Sequence, residues 1–428
     1  MGQPVRCRVL AVMGSGETSP TMVTVHRELV SRLAAKQPRA VLLETPYAFQ
    51  ENAADVSARA RSYFARSVGL NVIIVGSEAA PAGAAGQGSE LAALRAADWV
   101  FSGPGSPSYA LERWRTAGIA QSLRDRVAAG GGITVMASAA AATIGCVTLP
   151  VYEIYKAGAA PRWLDGLDLL GLLGLRAALI PHYDNTEGGT HDTRYCYLGE
   201  RRLSRLEHEL PHGAAVLGVD EHTAVIFDLN AGRVEVMGRG GVTVRRAGDS
   251  TVLPRGTVLS ITELRVLARH GPAALTPSAS GERAPAADEI PRAAAGPAAT
   301  LTEITQVVAD RFDAASAARD APAMVDAILD LETAIGDWAA DTEEDLGTRQ
   351  ARAVLRSLIS RLGGHAVRAA GDPRQRLAAA VDPLLKLRAA LRGRGMYPAA
   401  DIIRDALAAA GLHVQDTAEG TRWAPADD

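Results

Sequence analysis

The chain has 428 residues, 47% of them hydrophobic and 22% charged, with a net charge of −3. That balance excludes a wholly disordered chain or a fibre and gives no global pull toward nucleic acid, and the length suits two or three domains of ~100–200 residues each. No apolar run reaches the ~18–20 residues of a membrane-spanning helix, since the longest, near 164–175, is broken by Asp165, Asp168 and glycines.

Residues 1–8 lead into strand-like Val9–Met13 without a signal-peptide pattern, and three widely spaced cysteines (Cys7, Cys146, Cys196) suit a reducing compartment. A cytoplasmic protein without membrane attachment is therefore expected. Further strands are predicted at Ala40–Leu43, Val72–Val75, Trp99–Ser102, Thr134–Ala137 and Ala177–Ile180, with amphipathic stretches Met22–Ala35, Ala53–Ser67 and Ile119–Ala129 among them. This alternation predicts an α/β domain with a doubly wound parallel sheet. From Ala214 the pattern shifts to short strands separated by turns (Val216–Val219, Thr223–Leu229, Arg233–Met237, Val242–Arg246), read as an antiparallel extension. Residues 269–300 are rich in Pro, Ala and Gly and read as a linker. Beyond them, apolar residues recur at helical spacing (Met324, Ile328, Leu331, Ile335), which predicts a separate helical bundle over 301–428.

The chemistry concentrates in the first domain, residues 1–268. Strand Thr134–Ala137 runs into Ser138 and four alanines, the small neighbours that a sharp strand-to-helix turn needs if it is to present a nucleophile. At a helix start, free backbone N–H groups, notably that of Ala139, face a developing oxyanion. A hydroxyl needs a base and an orienting acid. His182, just beyond Ile180, and Glu153 supply the order Ser, Glu, His. Two loops have alternative readings: Met13–Thr18 looks like a dinucleotide loop but lacks its third glycine, and Asp184, Glu187, His191 and Asp192 have irregular spacing for a metal. Neither a cofactor nor a metal is expected.

Three segments carry a family resemblance: Phe101-Ser102-Gly103-Pro104-Gly105-Ser106, Ser138-Ala139, and 180–203 (IPHYDNTEGGTHDTRYCYLGERRL). Through them the first ~265 residues resemble the dipeptidase E and cyanophycinase serine peptidases, whose fold is related to class I glutamine amidotransferases. The resemblance implies Ser138 as nucleophile, His182 as base, Glu153 fifteen positions after Ser138 as the acid, and the N–H groups of Gly105 and Ala139 as the oxyanion hole. Members of that family act on acidic N-terminal residues or aspartyl-arginine polymers, which implies a carboxylate-gripping role for Arg194. The elbow departs from the family pattern, with Met136 and Ala140 where glycines usually stand.

Through the stretch 387–423, with Ala400–Asp405 and the pair Asp416-Thr417 and Gly420–Trp423, residues ~301–423 resemble the C-terminal helical domain of cysteinyl-tRNA synthetase. The motifs of that enzyme's catalytic half are missing from this sequence, so aminoacylation is not expected. Arginines between Thr348 and Pro398, including Arg388, Arg392 and Arg394, outnumber the acids there, which implies tRNA or a protein as partner. The expected function is a serine hydrolase cleaving a small peptide or amide, fused to this module. The alternative is a non-catalytic adaptor on a degenerate peptidase fold.

Overall fold

β-Branched and aromatic residues fall into short runs that a computed structural model assembles into a mixed α/β architecture with a large central sheet. It describes residues 7–76, 84–272, 298–339, 341, 346–370, 373–417 and 420–425; most of the expected linker lies outside these. Contacts divide the chain into two units, one of residues 1–304 and 333–349, the other of 305–332 and 350–428.

In the first unit, β1 (Arg8–Met13), β2 (Ala40–Leu43), β3 (Val72–Val75), β4 (Trp99–Ser102) and β5 (Gly132–Ala137) lie side by side in the order β3-β2-β4-β5-β1, all parallel. Helices α1 (Val23–Ser31), α2 (Ala53–Tyr63), α3 (Ala84–Ala96), α4 (Pro107–Thr116) and α5 (Ile119–Ala128) connect them. Burial on both faces follows the period-two alternation of strands: Leu10 and Val12 enter one core with Trp114 and Phe227, while Ala11 and Met13 enter the other with Phe64 and Phe101.

After β5 comes a short helix, α6 (Ser138–Ala142), then a two-residue pair, β6 (Val147–Thr148) with β7 (Leu164–Asp165). The chain continues through β8 (Ala177–Ile180), α7 (Glu200–His208), β9 (Ala215–Val219), β10 (Thr223–Asp228), β11 (Arg233–Gly238), β12 (Gly241–Arg246), β13 (Asp249–Pro254), β14 (Val258–Ser260) and α8 (Ile261–His270). Strands β10, β11 and β14 extend the large sheet antiparallel from β1, whereas β8, β9, β12 and β13 form a second sheet. The expected single parallel sheet including Ala177–Ile180 is corrected on this point. The outer edge of β1 is occupied by β10, so β8 pairs with β9 instead.

Helices α9 (Leu301–Ala318) and α10 (Ala321–Trp338) straddle the division between the units, and α11 (Leu346–Ala370) begins just before it. In the second unit α12 (Pro373–Gly393) and α13 (Tyr397–Ala409) lead into an antiparallel hairpin, β15 (Leu412–Thr417) and β16 (Gly420–Pro425). Val381, Leu385, Leu407, Leu412 and Trp423 form its core, and the Trp423 indole donates to Asp382 at 3.1 Å. Arg388 is 2% exposed, with its guanidinium forked onto Asp416 at 2.7 and 2.8 Å. It ties helix α12 to the hairpin, which removes it from the expected RNA-contacting set. Arg392 shares Asp416 from an exposed position, and Arg394 is exposed.

Candidate active site

Strand β5 ends at Ala137 in extended backbone, and the chain turns into α6 through Ser138 at φ +45°. A left-handed conformation costs a residue with a Cβ roughly 1 kcal/mol or more, so the surrounding packing must enforce it. Buried alanines 139–142 make room for the turn, and the Ala140 N–H donates to the Gly103 carbonyl at 3.1 Å. The Ser138 hydroxyl is 2.9 Å from Nε2 of His182.

His182 follows β8, itself at φ +47°, and its Nδ1 lies 2.9 Å from Oε1 of Glu221. Glu221 sits in the connection between β9 and β10, where its own N–H donates to Asp184 at 2.7 Å. Burial pushes the Glu221 carboxyl up, but its bonds and charge interaction with His182 and a bond from Asn185 outweigh that, holding it below the usual carboxylate range. Neighbouring Asp220 is raised to about 6, by burial first and then by the charges of Asp184 and Glu221, against a bond from the Gly241 N–H.

Ser138 and His182 thus meet as expected, but Glu153 does not join them. It lies in one π-helical turn, Tyr152–Lys156, that aims it at the start of α4, where its Oε1 accepts from the Ser108 hydroxyl. The carboxylate on the imidazole is Glu221. Its sequence signal was available: Asp220-Glu221-His222 are three consecutive ionisable residues between two apolar strand segments.

Gly105 and Ala139 line the same cleft as Ser138 and His182. Gly105 has φ +129°, and a Cβ there would lie 2.1 Å from the Pro46 carbonyl oxygen, so the turn requires glycine. Ala139 is in the first turn of α6, where N–H groups have no intrahelical acceptor. The glycine loop after β1 serves close approach as well. A Cβ on Gly14 would stand 2.0 Å from the Asp220 carbonyl oxygen, and Ser15 lines the cleft.

Arg194 does not line the cleft. Asp192 chelates its guanidinium at 2.9 Å from both Nε and a terminal nitrogen, only two residues away, and Arg194 is not among the cleft-lining residues. Asp184, Glu187 and Asp192 likewise hold protein donors, from Glu221, Tyr197 and Arg194 respectively. Among the described residues no group of three or more His, Cys, Asp or Glu is arranged to hold a metal.

The cleft, about 1360 Å³, is walled beside His182 by Tyr155 and Tyr197, whose rings stack at 4.8 Å. Tyr195, Cys196 and Tyr197 are consecutive left-handed residues, φ +62°, +55° and +64°. Such a run in non-glycine residues is strained, and it is pinned where the Cys196 N–H donates to the His182 carbonyl at 3.0 Å. Strain is thereby concentrated around the serine and the histidine.

No family model matches the chain. A peptidase from an acI-B1 Actinobacterium is similar at 16% identity and a TM-score of 0.47, covering 60% of this chain and 98% of that one. A protein assigned as peptidase E from Listeria monocytogenes EGD-e is similar at 16% identity and a TM-score of 0.38, covering 54% and 98%. A cysteine–tRNA ligase of Frankia casuarinae is 51% identical over 55 residues, 13% of this chain and 10% of the ligase. The proteins found similar are thus peptidases and a cysteine–tRNA ligase, the two resemblances the motifs suggested. Among the described residues no helix is long and apolar enough to cross a membrane.

Proposed function

We propose that the chain is a serine hydrolase of peptidase type that cleaves a small peptide or amide. The observation that carries this reading is the unbroken line Ser138–His182–Glu221, with 2.9 Å at each step, anchored on a serine in left-handed backbone. Ser138 attacks the carbonyl carbon while Nε2 of His182 takes its proton. Glu221 balances the imidazolium and fixes the tautomer with hydrogen on Nδ1. The tetrahedral oxyanion is received by the N–H groups of Gly105 and Ala139, and the imidazolium returns its proton to the leaving amine. Water then repeats the sequence on the acyl-enzyme.

The test is intact-mass analysis after treatment with a serine-directed fluorophosphonate. One adduct on the wild-type chain, mapped to Ser138 and missing from Ser138→Ala, supports the reading. An unmodified wild-type chain refutes it and leaves the adaptor alternative.

A second reading concerns the helical unit, for which we propose an RNA phosphate contact. It draws support from α11, whose arginines 352, 356, 361 and 368 are all exposed on a helix without a single Asp or Glu. Arg361 is partly engaged by Asp313 at 2.5 Å. A gel shift with tRNA that weakens steeply with salt, and is lost when Arg352 and Arg356 become Glu, is the expected result. No retardation at low salt refutes it and favours a protein partner.

A further inference from the structure

The loop after β8 provides more than the histidine. Asn185, three residues on, is 0% exposed, and its Nδ2 donates to the same Glu221 Oε1 that accepts from His182, at 3.0 Å. Its amide cannot be turned over without loss, because Oδ1 accepts the Glu187 N–H at 3.2 Å. The backbone on either side is also tied down: the Asn185 N–H donates to the His182 carbonyl at 3.3 Å, and the Thr193 hydroxyl donates to the Asn185 carbonyl at 3.4 Å. Asp184 meanwhile holds the Glu221 backbone N–H. Two consecutive residues therefore grip Glu221, one by its backbone and one by its carboxylate.

The chemistry of the gripping group is informative. A lysine or arginine at this place would hold the carboxylate as firmly but neutralise the charge that must balance the imidazolium. A neutral amide lends an N–H and leaves that charge intact. We propose that Asn185 is a positioning residue of the Ser138–His182–Glu221 relay, aiming the Glu221 carboxylate at Nδ1 of His182 and keeping it ionised. The inference rests on the hydrolase reading above. The other titratable groups around this loop include Asp184, Glu187, Asp220, His222 and Tyr197 with Tyr183, His191, Asp192, Arg194, Tyr195 and Cys196 of the loop itself, and each is unchanged in the variants below.

The experiment measures the second-order rate of fluorophosphonate inactivation against pH, with adduct stoichiometry and thermal midpoint, for the full chain and for Asn185→Ala and Asn185→Asp. Asn185→Ala should label completely but about 10- to 100-fold more slowly, the size of one hydrogen bond to a charged group. Asn185→Asp places a second carboxylate beside the relay and should move the acid limb of the profile up by about one pH unit, because the added negative charge favours the imidazolium. A merely structural role would lower the midpoint or the labelled fraction while the labelled protein kept the wild-type profile, and that result overturns the proposal. Wild-type rates and profiles in both variants overturn it too. An unlabelled wild-type chain would remove the hydrolase reading and this inference together, so the two failures are distinguishable.

Discussion

Exchanging Glu221 for Gln isolates the charge of the relay while keeping its shape. The carboxylate oxygen stands 2.9 Å from Nδ1 of His182. With an effective dielectric constant of about 20, opposite charges ~4 Å apart attract by ~4 kcal/mol. At roughly 1.4 kcal/mol per decade, losing that attraction to the imidazolium slows acylation about a thousandfold. The variant's amide has two orientations with different consequences. If its NH₂ faced Nδ1, the imidazole would take the wrong tautomer and the loss would approach ~10⁴-fold. Asn185 decides between them, because its Nδ2 also needs an acceptor at this place and favours the glutamine oxygen there. The expected loss is therefore nearer a thousandfold. Glu153→Gln, which disturbs only the contact to Ser108, should stay within about twofold on the same scale. The assay is the fluorophosphonate inactivation rate at neutral pH. Normal inactivation of Glu221→Gln together with a collapse in Glu153→Gln would refute the assignment.

Ser138→Gly should raise the thermal midpoint as well as abolish the adduct, since glycine accepts φ +45° at no steric cost; a lowered midpoint would contradict strain at the elbow. Asp220 carries a pKa raised to about 6, so its contribution to stability is complete below its unfolded value near 4 and is lost as pH rises through about 6. Asp220→Asn keeps an acceptor for the Gly241 N–H and should raise the midpoint more at pH 8 than at pH 4.5; equal shifts in melting curves would count against this. Arg388→Met should destabilise the helical unit by about 1–3 kcal/mol through loss of the forked contact to Asp416, while exposed Arg394→Glu should stay within about 0.5 kcal/mol. Urea titrations followed by circular dichroism check both.

Much of the first unit was legible because parallel strands buried on both faces are written as uninterrupted apolar runs. Ala40–Leu43 and Trp99–Ser102, buried throughout, and the edge strand Val72–Val75, whose Ile73 is exposed, appear with the boundaries their sequence suggests. Ser138 and His182 were legible for a related reason: each is a polar residue where a buried strand ends. The third member was not. An offset of fifteen positions from Ser138 to Glu153 says nothing about which way a π-helical turn points its side chain, whereas Glu221 comes from a connection between strands of two different sheets. Arg194 was misread because a carboxylate two residues away competes for the guanidinium before any substrate does. Strands β13 and β14 escaped prediction since they are edge strands whose apolar residues come only in pairs, Val252-Leu253 and Val258-Leu259, too short to read as a run.

The elbow shows why a departure from a motif need not disturb the geometry it serves. The usual glycines around such a serine provide space, and a larger residue fits there when its side chain is taken up by the sheet. Met136 pairs with Val12 on one flank and Ser102 on the other, and it is wholly buried in the core shared with Trp114 and Leu123, so its bulk is absorbed by the sheet rather than directed at the cleft. Ala140 meets the turn after β4, where its N–H reaches the Gly103 carbonyl. What the turn cannot relocate is the left-handed backbone of Ser138, because that angle places the hydroxyl at Nε2 of His182. The strain remains at the serine, while the bulk of Met136 is taken up by the sheet.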